Sequence, residues 1–124
     1  SLLTNGNAIL VSVSSTPIVP PSVEVYDPVQ DSWKLIANLP HDRKLASLNI
    51  LNNGTVLVVG GSAATLTILY YPREEKWYSA GKLFAARSEH TGTLLQSGKV
   101  LVIGGVGRNG KILSSVELYS PENP

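Results

Sequence analysis

Three groups of residues in this chain have types and spacings that chemistry could use. The stretch "GKVLVIGG", Gly98 to Gly105, is an apolar run ending on a glycine pair, as a strand does before it opens onto a phosphate. Arg43 and Arg87 could clamp a carboxylate or another anion by bidentate hydrogen bonding. His41 and His90 could act as metal ligands or general bases, with Asp42 beside the first. Cysteine is absent, which removes disulfides, thiolate metal sites and a catalytic thiol from this stretch of chain.

The glycine run has an internal control. "GTVLVVGG", Gly54 to Gly61, repeats it, and the pair Gly60-Gly61 recurs as Gly104-Gly105 at an offset of 44 residues. Arg43 and Arg87, Trp33 and Trp77, and Pro28 and Pro72 share that offset. Tyr26, Tyr70 and Tyr119 occupy one place in three units, the last spacing stretched to 49, and "LTNGNAIL", "LNNGTVLV" and "LQSGKVLV" align without a gap. Several landmarks on one offset establish an internal repeat.

Each unit reads as strands. "HTGTLL" alternates small or polar with apolar residues, "QSG" turns the chain, and "KVLVIGG" is a run expected of a strand covered on both faces. A variable loop follows, then "SSVELYSP", which Pro121 stops. "DSWKLIANL" and "EKWYSAG" supply a fourth strand around Trp33 and Trp77. Eight prolines, eleven glycines and period-2 alternation leave little room for helix. The expectation is an all-β chain of four-stranded antiparallel meanders, strands a to d, with boundaries at 1–40 (strand a truncated), 41–84 and 85–124 (strand d missing).

That settles the glycines. A dinucleotide fingerprint needs G-x-G-x-x-G between a strand and a helix in a parallel unit. A glycine pair repeated once per unit and followed by another strand is a packing device, so Gly60, Gly61, Gly104 and Gly105 are read as structural. Tyr26, Tyr70, Tyr119, Trp33 and Trp77 recur at fixed places and are expected to pack between sheets rather than form a sugar-stacking platform.

Arg87 and His90, then "GKVLVIGG", then "SSVELYSP", closely resemble the kelch repeat; so does "VEVYDP" followed by Trp33 in the first unit. The resemblance covers essentially the whole chain and implies β-propeller blades, here about three kelch repeats of a partial propeller. Departures are Ser12-Val13 in place of a glycine pair, and Tyr71 and Ser120 in place of the Asp of a Tyr-Asp-Pro triplet. The wording "HTGTLLQSGKVLVIGG" is similar to the propeller of copper-radical oxidases of the galactose oxidase type. That chemistry would need a Tyr cross-linked to Cys plus histidine ligands, and a chain without cysteine cannot hold the complete site.

About two and three-quarter repeats are fewer than the roughly four to eight blades that close a ring, so remaining blades of a longer chain, or further copies, are expected to complete it. Ten Lys plus Arg against nine Asp plus Glu give no field for a polyanion, so no nucleic-acid partner is expected. No apolar run approaches the about 20 residues of a membrane helix, so no membrane insertion is expected either, and no signal peptide is visible in "SLLTNG".

In an a-b-c-d meander the b–c and d–a connections leave by one edge and the short a–b turns by the other. The b–c loops vary: the Pro-rich excursion ending at Ser22, the brief "SAAT" from Ser62, and "VGRNGKILS" from Val106. Length variation on one edge of a rigid repeat marks a recognition face. The candidate binding residues there are Arg87, Arg108, Asn109, Lys111, Arg43 and His90, against plainer roles as loop braces, a strand-end hydrogen bond or loop polarity. Asn53-Gly54-Thr55 matches the glycosylation acceptor pattern and also makes a good hairpin turn. No catalytic set, metal site or cofactor is expected. The reading is a noncatalytic recognition module for a protein or glycan. The alternatives are an architectural unit of a surface assembly and a noncatalytic segment of a galactose oxidase-like enzyme.

Overall fold

The computed structural model describes residues 2, 6–12, 22–38, 45–61 and 65–121. It contains ten strands and, among the described residues, no helix. The chain divides into two compact units, Ser1–Arg43 and Lys44–Pro124.

The first unit is one antiparallel sheet, β1 (Ala8–Ser12), β2 (Ser22–Asp27) and β3 (Ser32–Asn38), in that order. Period-2 alternation in β2 buries Val23 and Val25 and leaves Ser22 and Glu24 half-exposed. The β2–β3 hairpin is closed by Asp27, whose carboxylate accepts from the N–H groups of Val29 (2.9 Å) and Gln30 (3.3 Å). Across the pair, Tyr26 stands opposite Trp33 with ring centroids 5.1 Å apart.

The second unit has two sheets. One is β4 (Ser47–Ile50), β5 (Val56–Val59), β6 (Leu66–Tyr71) and β7 (Lys76–Lys82); the other is β8 (Thr91–Leu94), β9 (Val100–Ile103) and β10 (Val116–Tyr119). All pairings are antiparallel. Leu51, Leu57, Val59, Val100 and Val102 form the core between the sheets, with Leu69, Ala80, Leu83, Leu94 and Tyr119 packed against it. The edge strands β4 and β8 lie side by side, and Asn49 donates to the Gly92 carbonyl at 3.2 Å.

The backbone repeats as the sequence does. Asp31 and Glu75, 44 residues apart, close the β2–β3 and β6–β7 hairpins at φ 49° and 53°. Leu45 and Glu89, also 44 apart, precede the first strands at φ 61° and 56°. Left-handed non-glycine residues are uncommon, so paired ones on a fixed offset are a structural signature.

Two expectations need correction. β5 is buried on both faces, but β9 is not: Val100 and Val102 are buried and Ile103 is 42% exposed. Within its unit, the β8–β10 sheet has the other sheet on one face only. Trp33, expected to pack between sheets, is 55% exposed, with its indole against Tyr26 of its own sheet. Tyr70, by contrast, is fully buried and stacks on half-buried Trp77 at 4.9 Å.

Candidate recognition site

The candidate edge is built from two connections. One is residues 83–90, which link β7 to β8; the other is residues 104–115, which link β9 to β10. They lie together because Ser88 and Val106 form an antiparallel bridge, with N–H to carbonyl distances of 3.0 and 2.8 Å.

Glycine makes this crossing possible. Gly105 ends β9 at φ 92°, and a Cβ there would collide with the Ser88 carbonyl and lie 2.9 Å from His90 Cβ. Gly60, at φ 65°, does the same after β5 in the other sheet of this unit: its Cβ would lie 2.5 Å from the Arg87 carbonyl. The glycine N–H groups are committed internally, Gly61 to the Arg87 carbonyl (2.9 Å) and Gly104 to the Ser115 carbonyl (3.1 Å). None of these is a phosphate cradle.

Arg87 is fully buried and each guanidinium N–H has an internal acceptor. Nε donates to the Ala85 carbonyl (3.5 Å), and Nη1 to the carbonyls of Gly104 and Ser115 (both 3.0 Å). Nη2 donates to Ser115 Oγ and to Glu117 Oε2, both at 2.8 Å. This geometry replaces the expected anion clamp with a brace, because no donor is left for a partner. The sequence reading did not single out Glu117. Its signal was the repeated "VExY": Glu24 precedes Tyr26 as Glu117 precedes Tyr119, while Ile68 holds that place before Tyr70.

Arg108, Asn109 and Lys111 are all exposed, on a turn with its own internal ties. Asn109 Oδ1 accepts from the Lys111 N–H at 3.2 Å, Gly107 N–H bonds the Lys111 carbonyl at 2.9 Å, and Leu113 N–H bonds the Gly105 carbonyl at 2.8 Å. His90 sits at the inner end, its Nε2 2.9 Å from Ser47 Oγ on β4, and its Nδ1 buried without a well-formed hydrogen bond. Burial lowers the imidazole pKa and the Arg87 charge lowers it further, against the pull of the Val59 carbonyl. Arg43, His41, Asp42 and most of the Pro-rich loop before Ser22 lie outside the described residues. Among the described residues no group of three or more acidic, His or Cys side chains could hold a metal ion.

The opposite edge is less plain than its short hairpins imply. A cavity of about 600 Å³ opens there, lined by Asn53, Leu69, Tyr71, Glu74, Tyr78 and Tyr119 among others. Tyr71 and Tyr78 meet edge to face at 5.0 Å, and Tyr78 donates to Glu74 at 2.8 Å. Asn53 Oδ1 accepts from the Thr55 N–H (3.1 Å) and hydroxyl (2.7 Å), which ties the turn to itself.

Comparison with known proteins agrees with this geometry. Residues 90–124 match the kelch motif. Kelch-like protein 24a of Danio rerio is 35% identical over 101 residues, covering 82% of this chain and 16% of that protein. Kelch-like protein 24 of Rattus norvegicus is 30% identical over 99 residues, covering 80% and 16%. The chain belongs to the kelch-repeat family. Alpha-scruin of Limulus polyphemus, 27% identical over 112 residues, covers 82% of this kelch chain and 12% of its own length. The chain thus spans about a sixth of the Kelch-like relatives and less of alpha-scruin. A copper-bound fungal alcohol oxidase of the AA5 family superposes with a TM-score of 0.73 over 97% of the kelch chain and 27% of its own. At 18% identity that likeness is one of fold.

Proposed function

We propose that these kelch repeats form a noncatalytic recognition module that docks a protein or glycan partner on the edge carrying residues 83–90 and 104–115. The observation that supports this is the Ser88–Val106 bridge, which joins the two connections beneath an exposed turn bearing Arg108, Asn109 and Lys111. A rigid scaffold under exposed polar loops is the arrangement in which loops contribute to recognition. Similarity to Kelch-like proteins, rather than to the oxidase, favours binding over catalysis. His90 stays in the proposal as a neighbour of this edge and Arg87 as its support, while Arg43 stays in it only through its place in the sequence repeat, 44 residues before Arg87.

Amine footprinting of the complex with a partner isolated by affinity capture tests the choice of edge. Lys82 and Lys111 are on the proposed edge, Lys76 and Lys99 on the other, and all are exposed. Protection of the first pair from acetylation is expected. Protection of Lys76 and Lys99 instead would move the docking face.

A further inference from the structure

Three residues around the β6–β7 hairpin depart from the repeat together. Tyr26, Pro28 and Trp33 of the first unit recur as Tyr70, Pro72 and Trp77, so the two hairpins align without a gap. Within that frame Tyr71 stands where the first unit has Asp27, Glu74 where it has Gln30, and Tyr78 where it has Lys34. The turn itself does not require these exchanges. Both hairpins keep their length and their left-handed residue, Asp31 in one and Glu75 in the other. Asp27 closes its hairpin by accepting from the Val29 and Gln30 N–H groups, a tie that a tyrosine cannot make.

The three replacements meet one another. Tyr71 and Tyr78 stand edge to face, with centroids 5.0 Å apart and ring planes at 79°, and the Tyr78 hydroxyl donates to Glu74 Oε2 at 2.8 Å. All three line the cavity of about 600 Å³, which the β4–β5 turn and residues 119–121 help to complete. The site is open to solvent, with Tyr78 45% exposed and Glu74 exposed. Among the described lining residues Glu74 is the only charged one, and Leu51, Leu69 and Ala80 add apolar wall. Two nearly perpendicular aromatic rings beside a carboxylate make a place of negative potential bounded by apolar surface. Such a place suits an organic cation and repels an anion. A quaternary ammonium group fits it better than a primary one, having no N–H donors to leave unpaired against apolar walls.

We infer that this cavity binds a small quaternary ammonium compound, its cationic head against Tyr71 and Tyr78 and beside the Glu74 carboxylate. The volume leaves room for a body of several atoms beyond the head. The Tyr78–Glu74 hydrogen bond holds ring and carboxylate in one arrangement, so the ligand has little ordering to impose. The cavity lies on the edge opposite the one proposed for docking, and its ligand is independent of any partner there.

The probes are choline and the neutral alcohol in which a tert-butyl group replaces its trimethylammonium group. Each is titrated into the full chain and followed by saturation-transfer NMR of its methyl protons, in the parent, Tyr78→Phe, Tyr78→Leu and Glu74→Gln. The expected result is saturable choline binding, with the neutral isostere weaker by about tenfold. Tyr78→Leu and Glu74→Gln should each weaken choline at least about threefold, and Tyr78→Phe, which keeps the ring, less than Tyr78→Leu. Thermal melts check folding, and the exposed Glu74→Gln change decides should Tyr78→Leu unfold. Equal binding of choline and its isostere overturns the inference, because the cavity then reads shape and not charge. Choline binding that either folded variant, Tyr78→Leu or Glu74→Gln, leaves unchanged overturns it too, as does the absence of saturable choline binding.

Discussion

Arg87 and Glu117 form an ion pair 2.8 Å apart beneath the candidate edge, the arginine fully buried and the glutamate 19% exposed. Arg87 thereby holds the ends of the 104–115 connection, through the Gly104 and Ser115 carbonyls, while Glu117 holds the start of the 83–90 connection. Removing Arg87 strips Glu117 of its countercharge, leaving it the Phe84 and Ala85 N–H groups, and takes a donor from each of the Gly104 and Ser115 carbonyls. Arg87→Ala should cost about 3–5 kcal/mol in a urea melt. Arg87→Lys should recover only a fraction of this, because a point charge cannot reproduce five donors in a fork. A loss below about 1 kcal/mol for Arg87→Ala would show the pair to be incidental.

Gly105→Val should destabilise by about 1–3 kcal/mol, through the left-handed backbone angle and the collision with the Ser88 carbonyl. The same melt reports it. Unchanged stability would remove the packing role assigned to the glycine pair.

The pH dependence follows from His90, whose folded pKa lies below the ordinary 6.5. Between those two values the unfolded chain binds a proton that the folded chain does not. The contribution of His90 to stability is therefore complete above pH of about 7.5, falls as the pH drops through 6.5, and levels off below the folded pKa. His90→Gln should flatten the midpoint-against-pH curve between about pH 7.5 and 5.5, above the range where carboxylates titrate. An identical slope in the variant would place the proton uptake on another group.

Trp33 and Trp77 meet their tyrosines at similar distances but differ in burial. Trp77→Leu should cost about 1–3 kcal/mol, and Trp33→Leu less. Acrylamide should quench the single-tryptophan protein that keeps Trp33 more strongly. Equal quenching would contradict the exposure difference.

The fold class was legible because strand signals are local and repeated: β-branched runs, Asn-Gly and Ser-Gly turns, and a tyrosine and tryptophan on fixed offsets. Which face of β9 is covered was not, since "VLVI" reads alike with one neighbouring sheet or two. The edge could be derived from strand alternation alone. The role of Arg87 could not, because its acceptors apart from the Ala85 carbonyl come from residues 17 to 30 positions away, brought close only by the folded sheet.

One guanidinium gripping both the Gly104 and Ser115 carbonyls also separates the loop's contents from its mounting. Residues 107–112 could be exchanged for foreign sequence, longer or shorter, while the clamp and the Ser88–Val106 bridge keep the incoming and outgoing strands in register. Built this way, the blade is a socket. Foreign loops can be grafted into it provided that Arg87, Glu117 and the two clamped carbonyls are left as they are.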